Sequence, residues 1–161
     1  MNKVIVIGSP GAGKSYFSKQ LASSIELPLY HLDNIYWKED RTHISRDELI
    51  LKMNEIMDGD KWIIDGNYIS TIEHRISRAE TIFFLDFPTE VCMEGIASRV
   101  GVKRDDMPWT EDELDPEFRK FVEEFQAETK PRIDEILSRY HDKELYRFTS
   151  REDIRRFMED L

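Results

Sequence analysis

Residues 4–15 read Val-Ile-Val-Ile-Gly-Ser-Pro-Gly-Ala-Gly-Lys-Ser. Four consecutive apolar residues, Val4 to Ile7, predict a short strand buried on both faces, as in a parallel sheet covered by helices above and below. The next eight, Gly8-Ser-Pro10-Gly11-Ala12-Gly13-Lys14-Ser15, make a complete phosphate-binding loop, or P-loop. Gly8, Gly11 and Gly13 admit backbone angles that a Cβ forbids, so with Pro10 and Ala12 between them successive N–H groups can point into one concavity. Phe17, Leu21, Ala22 and Ile25 keep helical spacing. A helix therefore starts at once, its positive end facing the same anion, with Tyr16 in its first turn. This pattern assigns Lys14 to the β- and γ-phosphates of ATP and the Ser15 hydroxyl to Mg²⁺.

The whole chain bounds what such a loop can serve. Its 161 residues fit one compact domain, 1–161. Apolar residues at 40% and charged residues at 35% predict a globular, rather helical protein with no run long enough to span a membrane. Val4 to Ile7 is too short for a signal peptide, so a cytoplasmic location is expected. The single cysteine, Cys92, excludes an internal disulfide framework. A net charge of −10 and a pI near 4.9 disfavour a nucleic-acid backbone as partner and favour a small molecule. Basic residues gathered at one cleft can still steer an anionic substrate.

Downstream, Pro28 to Asp33 reads as a second strand ending in a carboxylate, with His31 and Asp33 two residues apart and so on one side. Asp33 is the first candidate to orient or deprotonate an acceptor hydroxyl or to hold the metal's water shell, against a plain turn before Asn34. His31 reads equally as a packed or a functional histidine. Residues 34–44 lack periodicity and predict a loop whose Tyr36, Trp37, Lys38 and Arg41 either hold an acceptor or cover the core. Ser45 with Glu48 makes a capping box ahead of a helix. Lys61 to Tyr68 is a third strand running into Asp65, Gly66 and Asn67, either a metal-reaching carboxylate or an Asp-Gly turn. A short helix follows, carrying Arg75 and Arg78, which face substrate or pair with Glu73 and Glu80.

Thr81 to Asp86 is a fourth strand, and the helix after Pro88 places Cys92 in the core with Ile96 and Val100. Arg99, Lys103 and Arg104 form the densest basic cluster, before an acidic, irregular stretch. The cluster reads either as the basic side of a flap that closes on a transferred phosphoryl group or as a solvated helix end. Two helical stripes, Phe118 to Phe125 and Ile133 to Tyr140, are interrupted by Pro131, with Lys130 and Arg132 at the break. Lys143 to Phe148 is a fifth strand, Ser150 caps a last helix, and Arg151 is placed at the nucleotide base.

Strand, P-loop, helix and four further strand–helix alternations resemble the core of the adenylate kinase and shikimate kinase group. The pieces at 8–15, His-Leu-Asp-Asn-Ile-Tyr-Trp at 31–37, Ile-Asp-Gly-Asn-Tyr at 64–68, Phe-Leu-Asp at 84–86, Cys92, Arg104-Asp-Asp-Met107, Leu114-Asp115 and Glu117-Phe118 are similar, nearly end to end, to the topology modulation proteins called FlaR-related. The wider group implies a three-layer α/β P-loop NTPase fold, its five-stranded parallel sheet in the order 2-3-1-4-5 with helices on both faces. It also implies ATP and Mg²⁺ binding and a mobile lid bearing arginines, here about 99–116. The FlaR-related name comes from a genetic effect on DNA topology and implies no acceptor. The chain departs from that resemblance at Trp109-Thr110, where relatives commonly have Gly-Cys. It departs again at Gln126 to Lys130, where relatives carry several arginines.

The expected function is transfer of the γ-phosphoryl group of ATP to a small hydroxyl or phosphate acceptor. In that reading Lys14, Arg99 and Arg104 neutralise developing charge, Ser15, Asp33 and Asp65 manage the metal, and His31, Asp33, Tyr36, Asp65, Asn67, Arg75 and Arg132 surround the acceptor. The alternative is an ATP-binding regulatory module with weak or no turnover.

Overall fold

The computed structural model describes all 161 residues. Five parallel strands form one sheet: β1 (Lys3–Gly8), β2 (Leu29–His31), β3 (Trp62–Asp65), β4 (Thr81–Leu85) and β5 (Glu144–Phe148), in the order β2-β3-β1-β4-β5. The order expected from the resemblance is the order observed. Period-two alternation sends β1's side chains both ways. Ile5 and Ile7 enter one core with Ile64, Ile82 and Phe84, and Val4 and Val6 enter the other with Ile63, Phe83 and Leu85.

Helices cover both faces because each keeps an apolar stripe. On one face lie α3 (Arg46–Met57), α4 (Ile69–Arg78) and α7 (Lys130–Leu137), burying residues such as Leu49, Met53, Ile72, Ile76 and Ile133. On the other lie α1 (Lys14–Ile25), α5 (Thr89–Ala97), α6 (Pro116–Glu124) and α8 (Arg151–Glu159), with Phe17, Leu21, Ile96 and Val122 inward. Cys92 is a buried packing residue of this second core, as its spacing predicts. Asp115 caps α6, Ser45 accepts from the Glu48 N–H at the start of α3, and a full capping box joins Ser150 and Asp153 at α8.

Three local expectations change. The second strand stops at His31, and a five-residue helix, α2 (Leu32–Tyr36), replaces the start of the predicted loop. Leu32 is fully buried and anchors that turn, too short for any periodicity to register. His31 and Asp33 therefore do not share a strand face. Pro131 does not break the chain: α6 runs through a π-helical turn, Phe125–Thr129, into α7. The proline sits in the first turn of α7, directly after the π turn, which absorbs the change of direction.

Candidate active site

The P-loop lies at the carboxyl ends of the central strands, where parallel α/β sheets place ligands. Gly11 and Gly13 have φ of +84° and +94°, and Gly13 is the residue preceding α1, with no side chain capping the helix. The first-turn N–H groups of α1 have no partner within the helix, which leaves donors free for an anion. Lys14 Nζ donates to the carbonyls of Gly8 and Ser9 at 3.0 and 3.1 Å, folded over the loop. Burial and the neighbouring Arg99 lower its ammonium to about 8. The Asn67 side chain accepts from Gly8 N–H at 3.0 Å and ties the end of β1 to the loop after β3. Ala12 is buried in the core and supports the loop from behind.

Carboxylates gather opposite. Asp33, on α2, accepts from the Tyr68 hydroxyl at 2.5 Å. Burial pushes the Asp33 carboxyl above its ordinary value against the opposing pull of Tyr68 and Lys14. Tyr68 is held in a left-handed conformation, φ +40°, by its place at the start of α4. Gly66, φ +133°, is required just before it, because a Cβ there would strike Leu32 at 2.9 Å. Asp65 accepts from or shares a proton with His31 Nδ1 at 2.8 Å, both side chains nearly out of solvent.

The segment between α5 and α6 crosses over the P-loop. Arg104 donates from Nε and Nη2 to both oxygens of Asp106, at 2.9 and 2.8 Å, and the Ser15 hydroxyl donates to Asp106 Oδ2 at 2.7 Å. Burial works against the Asp106 charge, but Arg104, Ser15 and Arg99 outweigh it and hold the carboxyl far below the usual range. Lys19 pairs with Asp105 at 2.8 Å, and Asn34 donates to the Asp105 carbonyl. Trp109 packs edge-on against Trp37 at 5.5 Å between centroids, with Arg41 over its ring.

These parts enclose a cavity of about 920 Å³ lined by Lys14, Ser15, Asp33, Asp65, Asn67, Tyr68, Trp37, Trp109 and Arg132, among others. A smaller groove of about 360 Å³ on the far side of the loop is lined by Gly11, Gly13, Tyr16, Lys103 and Arg151. Ser15, Arg99, Arg104 and Asp106 line both and form the wall between them.

Of the residues singled out in the sequence, Pro10, Lys14, Ser15, Arg99 and Arg104 meet here with Asp33, Asp65, Asn67 and Arg132. Gly8 contributes its carbonyl to Lys14, and Tyr16 and Arg151 face the outer groove. Three of the acceptor candidates do not reach the cavity. Arg75 is fully buried, donating to the carbonyls of Gly66, Asn67 and Tyr68; it builds the loop rather than contacting substrate. Its position beside Ile72 and Ile76 on the inward stripe of α4 dictates this. Tyr36 stacks on His43 behind Trp37 and Tyr68. His31 is consumed by Asp65. Lys130 turns to Asp86, at 2.8 Å, rather than to the phosphate side, and Arg78 to Asp58.

Sequence reading missed Asp106, Tyr68 and Gly95. Gly95, on α5, would drive a Cβ into the Gly11 carbonyl, and Gly11 would drive one into the Cys92 carbonyl. Loop and helix touch backbone to backbone. An isolated glycine within an apolar helical pattern was the available signal.

The donor set fits a nucleotide with Mg²⁺. Bare loop N–H groups, Lys14 and the half-buried Arg99 suit phosphates. Ser15 with Asp33 nearby suits a hard cation that keeps phosphate and water ligands, and no group of three side chains forms a metal cage by itself.

No protein-family model matches the chain, and no curated protein matches it. Solved structures do. Shikimate kinase from Bacteroides thetaiotaomicron aligns at 14% identity and TM-score 0.60, over 97% of this chain and 96% of that one. Shikimate kinase from Acinetobacter baumannii, in complex with shikimate, aligns at 12% and 0.59, over 99% and 90%. The enzyme from Aquifex aeolicus aligns at 17% and 0.54, over 98% and 94%. At these identities the likeness shows the fold, and the chain shares the P-loop NTPase fold of the shikimate kinases over nearly its whole length.

Proposed function

We propose that the protein is a P-loop kinase, one unit spanning 1–161 with a lid at about 99–116, that transfers the γ-phosphoryl group of ATP to a small hydroxyl or phosphate acceptor. One observation carries this reading: the phosphate loop's lysine and a half-buried carboxylate, Asp33, line one cavity, with Arg99 and Arg104 in the wall that separates it from the outer groove. That is the layout phosphoryl transfer needs, because positioning and charge neutralisation supply most of its catalysis. The shared fold of the shikimate kinases supports it, as does the structure of one of those neighbours in complex with shikimate, a small molecule. The FlaR-related likeness enters as sequence pieces that include Asp33, Tyr68 and Arg104.

In this reading the outer groove takes the nucleotide, with Tyr16 and Arg151 toward its base end. The α1 N–H groups and Lys14 bind the phosphates. Ser15, with Asp33 and Asp65 behind it, holds the Mg²⁺, which when bound neutralises phosphate charge. Asp33, its basicity raised by burial and its orientation fixed by Tyr68, orients the acceptor and takes its proton. Arg132, exposed on the cavity wall, meets the acceptor's far end.

The test is ATP consumption with Mg²⁺ across nucleosides, nucleotides and small hydroxylated metabolites. One acceptor class stimulates turnover, Lys14→Ala abolishes it, and Asp33→Asn removes stimulation while ATP affinity stays within a few-fold. Near-normal turnover in Lys14→Ala sinks the kinase. Unchanged ATP consumption in Asp33→Asn favours an ATP-binding regulatory module.

A further inference from the structure

Asp106 stands where the two halves of the site meet. Its carboxylate accepts from the Ser15 hydroxyl, which the proposed function gives to Mg²⁺, and from the Arg104 guanidinium, which it gives to the phosphoryl group. The same four residues, Ser15, Arg99, Arg104 and Asp106, partition the outer groove from the large cavity. Any phosphoryl group passing from one to the other crosses this partition. Asp106 is only 7% exposed, so its contacts are not a loose surface pairing.

We propose that Asp106 is a built-in competitor of the nucleotide: its carboxylate holds Ser15 and Arg104, and ATP binds productively by exchanging that carboxylate for phosphate oxygens. The inference rests on ATP using this loop. The exchange is chemically even. Arg104 trades one bidentate anion for another and is never left bare, and Ser15 trades a carboxylate acceptor for the metal. Nor does the exchange need the lid to leave. Asp105 docks it independently through Lys19 and Asn34, and Trp109 through Trp37.

Three variants test it by equilibrium ATP binding, with Mg²⁺ and with the metal chelated. Asp106→Asn keeps the shape but drops the charge that Arg104 recognises, and Asp106→Ala drops both contacts. Each tightens ATP about tenfold or more, the scale of one hydrogen bond to a charged group. Asp105→Asn cuts the ion pair that docks the lid on Lys19 and leaves affinity within about twofold. Equal or weaker binding in both Asp106 variants overturns the proposal; so does weakening seen only with Mg²⁺, which makes Asp106 a metal ligand. An equal gain in Asp105→Asn overturns it too, since lid docking alone then sets affinity. A wild-type protein that binds no ATP fails the kinase reading separately. In that case binding gained in Asp106→Asn still supports the exchange, and none gained rejects both. Thermal unfolding of each variant keeps loss of fold apart from loss of binding.

Discussion

Burial and Arg99 bring the Lys14 ammonium down from 10.5 to about 8, so near that pH the side chain is half neutral, bonded to the Gly8 and Ser9 carbonyls. Triphosphate oxygens beside it supply opposite charge that outweighs both causes. The bound pKa then rises above the free one, so ATP binding takes up a proton, and affinity falls as pH climbs through 8. Titration calorimetry at pH 8 in buffers of different ionisation enthalpy reads an uptake of about half a proton, rising toward one at pH 9. The nucleotide's own phosphates are fully ionised there, their last pKa being near about 6. Lys14→Arg, charged throughout, shows none. Zero uptake in the wild-type protein means that Lys14 does not meet the phosphates. Arg75 is the opposite case: a fully buried cation, it spends both terminal nitrogens on three backbone carbonyls and lies outside the cavity.

At the scale of elements, the P-loop keeps its shape because α5 presses on it through Gly95 and Gly11. Helix propensity alone predicts that Gly95→Ala stabilises α5 by about 1 kcal/mol. Packing predicts the reverse, since the new methyl falls on the Gly11 carbonyl, and overpacking of this kind costs about 1–3 kcal/mol. The clash is with backbone, so packing wins. The variant melts several degrees lower, and ATP binds about tenfold more weakly because the loop is displaced. A higher melting temperature with unchanged affinity refutes this coupling. The same contact shows what a sequence exposes. The β1–loop–α1 unit and the strand–helix alternation were legible because their signals are contiguous or periodic. Asp33 was legible because it closes an apolar run. Asp106 was legible only as a member of the Arg104-Asp-Asp-Met107 piece and not in its role, because it lies in an acidic stretch and its partner Ser15 is 91 residues away. Tyr68 touches Asp33 across 35 residues. α2 escaped because five residues carry no period, and Arg75 was misplaced because its charge outweighed its position on an inward helix stripe.

Over the whole molecule, 33 acidic residues oppose 23 basic ones, yet eight of those 23 line the two cavities: Lys14, Lys19, Arg41, Arg99, Lys103, Arg104, Arg132 and Arg151. Eight carboxylates line them too, so the cleft is close to neutral within an acidic body; that body repels long polyanions, which must lie across the surface, more than short ones, which fit inside. The cleft's own carboxylates, Asp106 foremost, temper the pull. ATP binding therefore weakens only several-fold as ionic strength rises from about 0.05 to 0.5 M, where the screening length shrinks from above 10 Å to about 4 Å. Duplex DNA does not bind at about 0.15 M. A competition assay with labelled ATP, run against increasing salt and against duplex DNA, checks both halves. Displacement of ATP by DNA, with a steep salt slope, would move the cleft from a small-molecule site to a nucleic-acid surface. ATP binding with no salt dependence would mean that the clustered cations do not face the nucleotide.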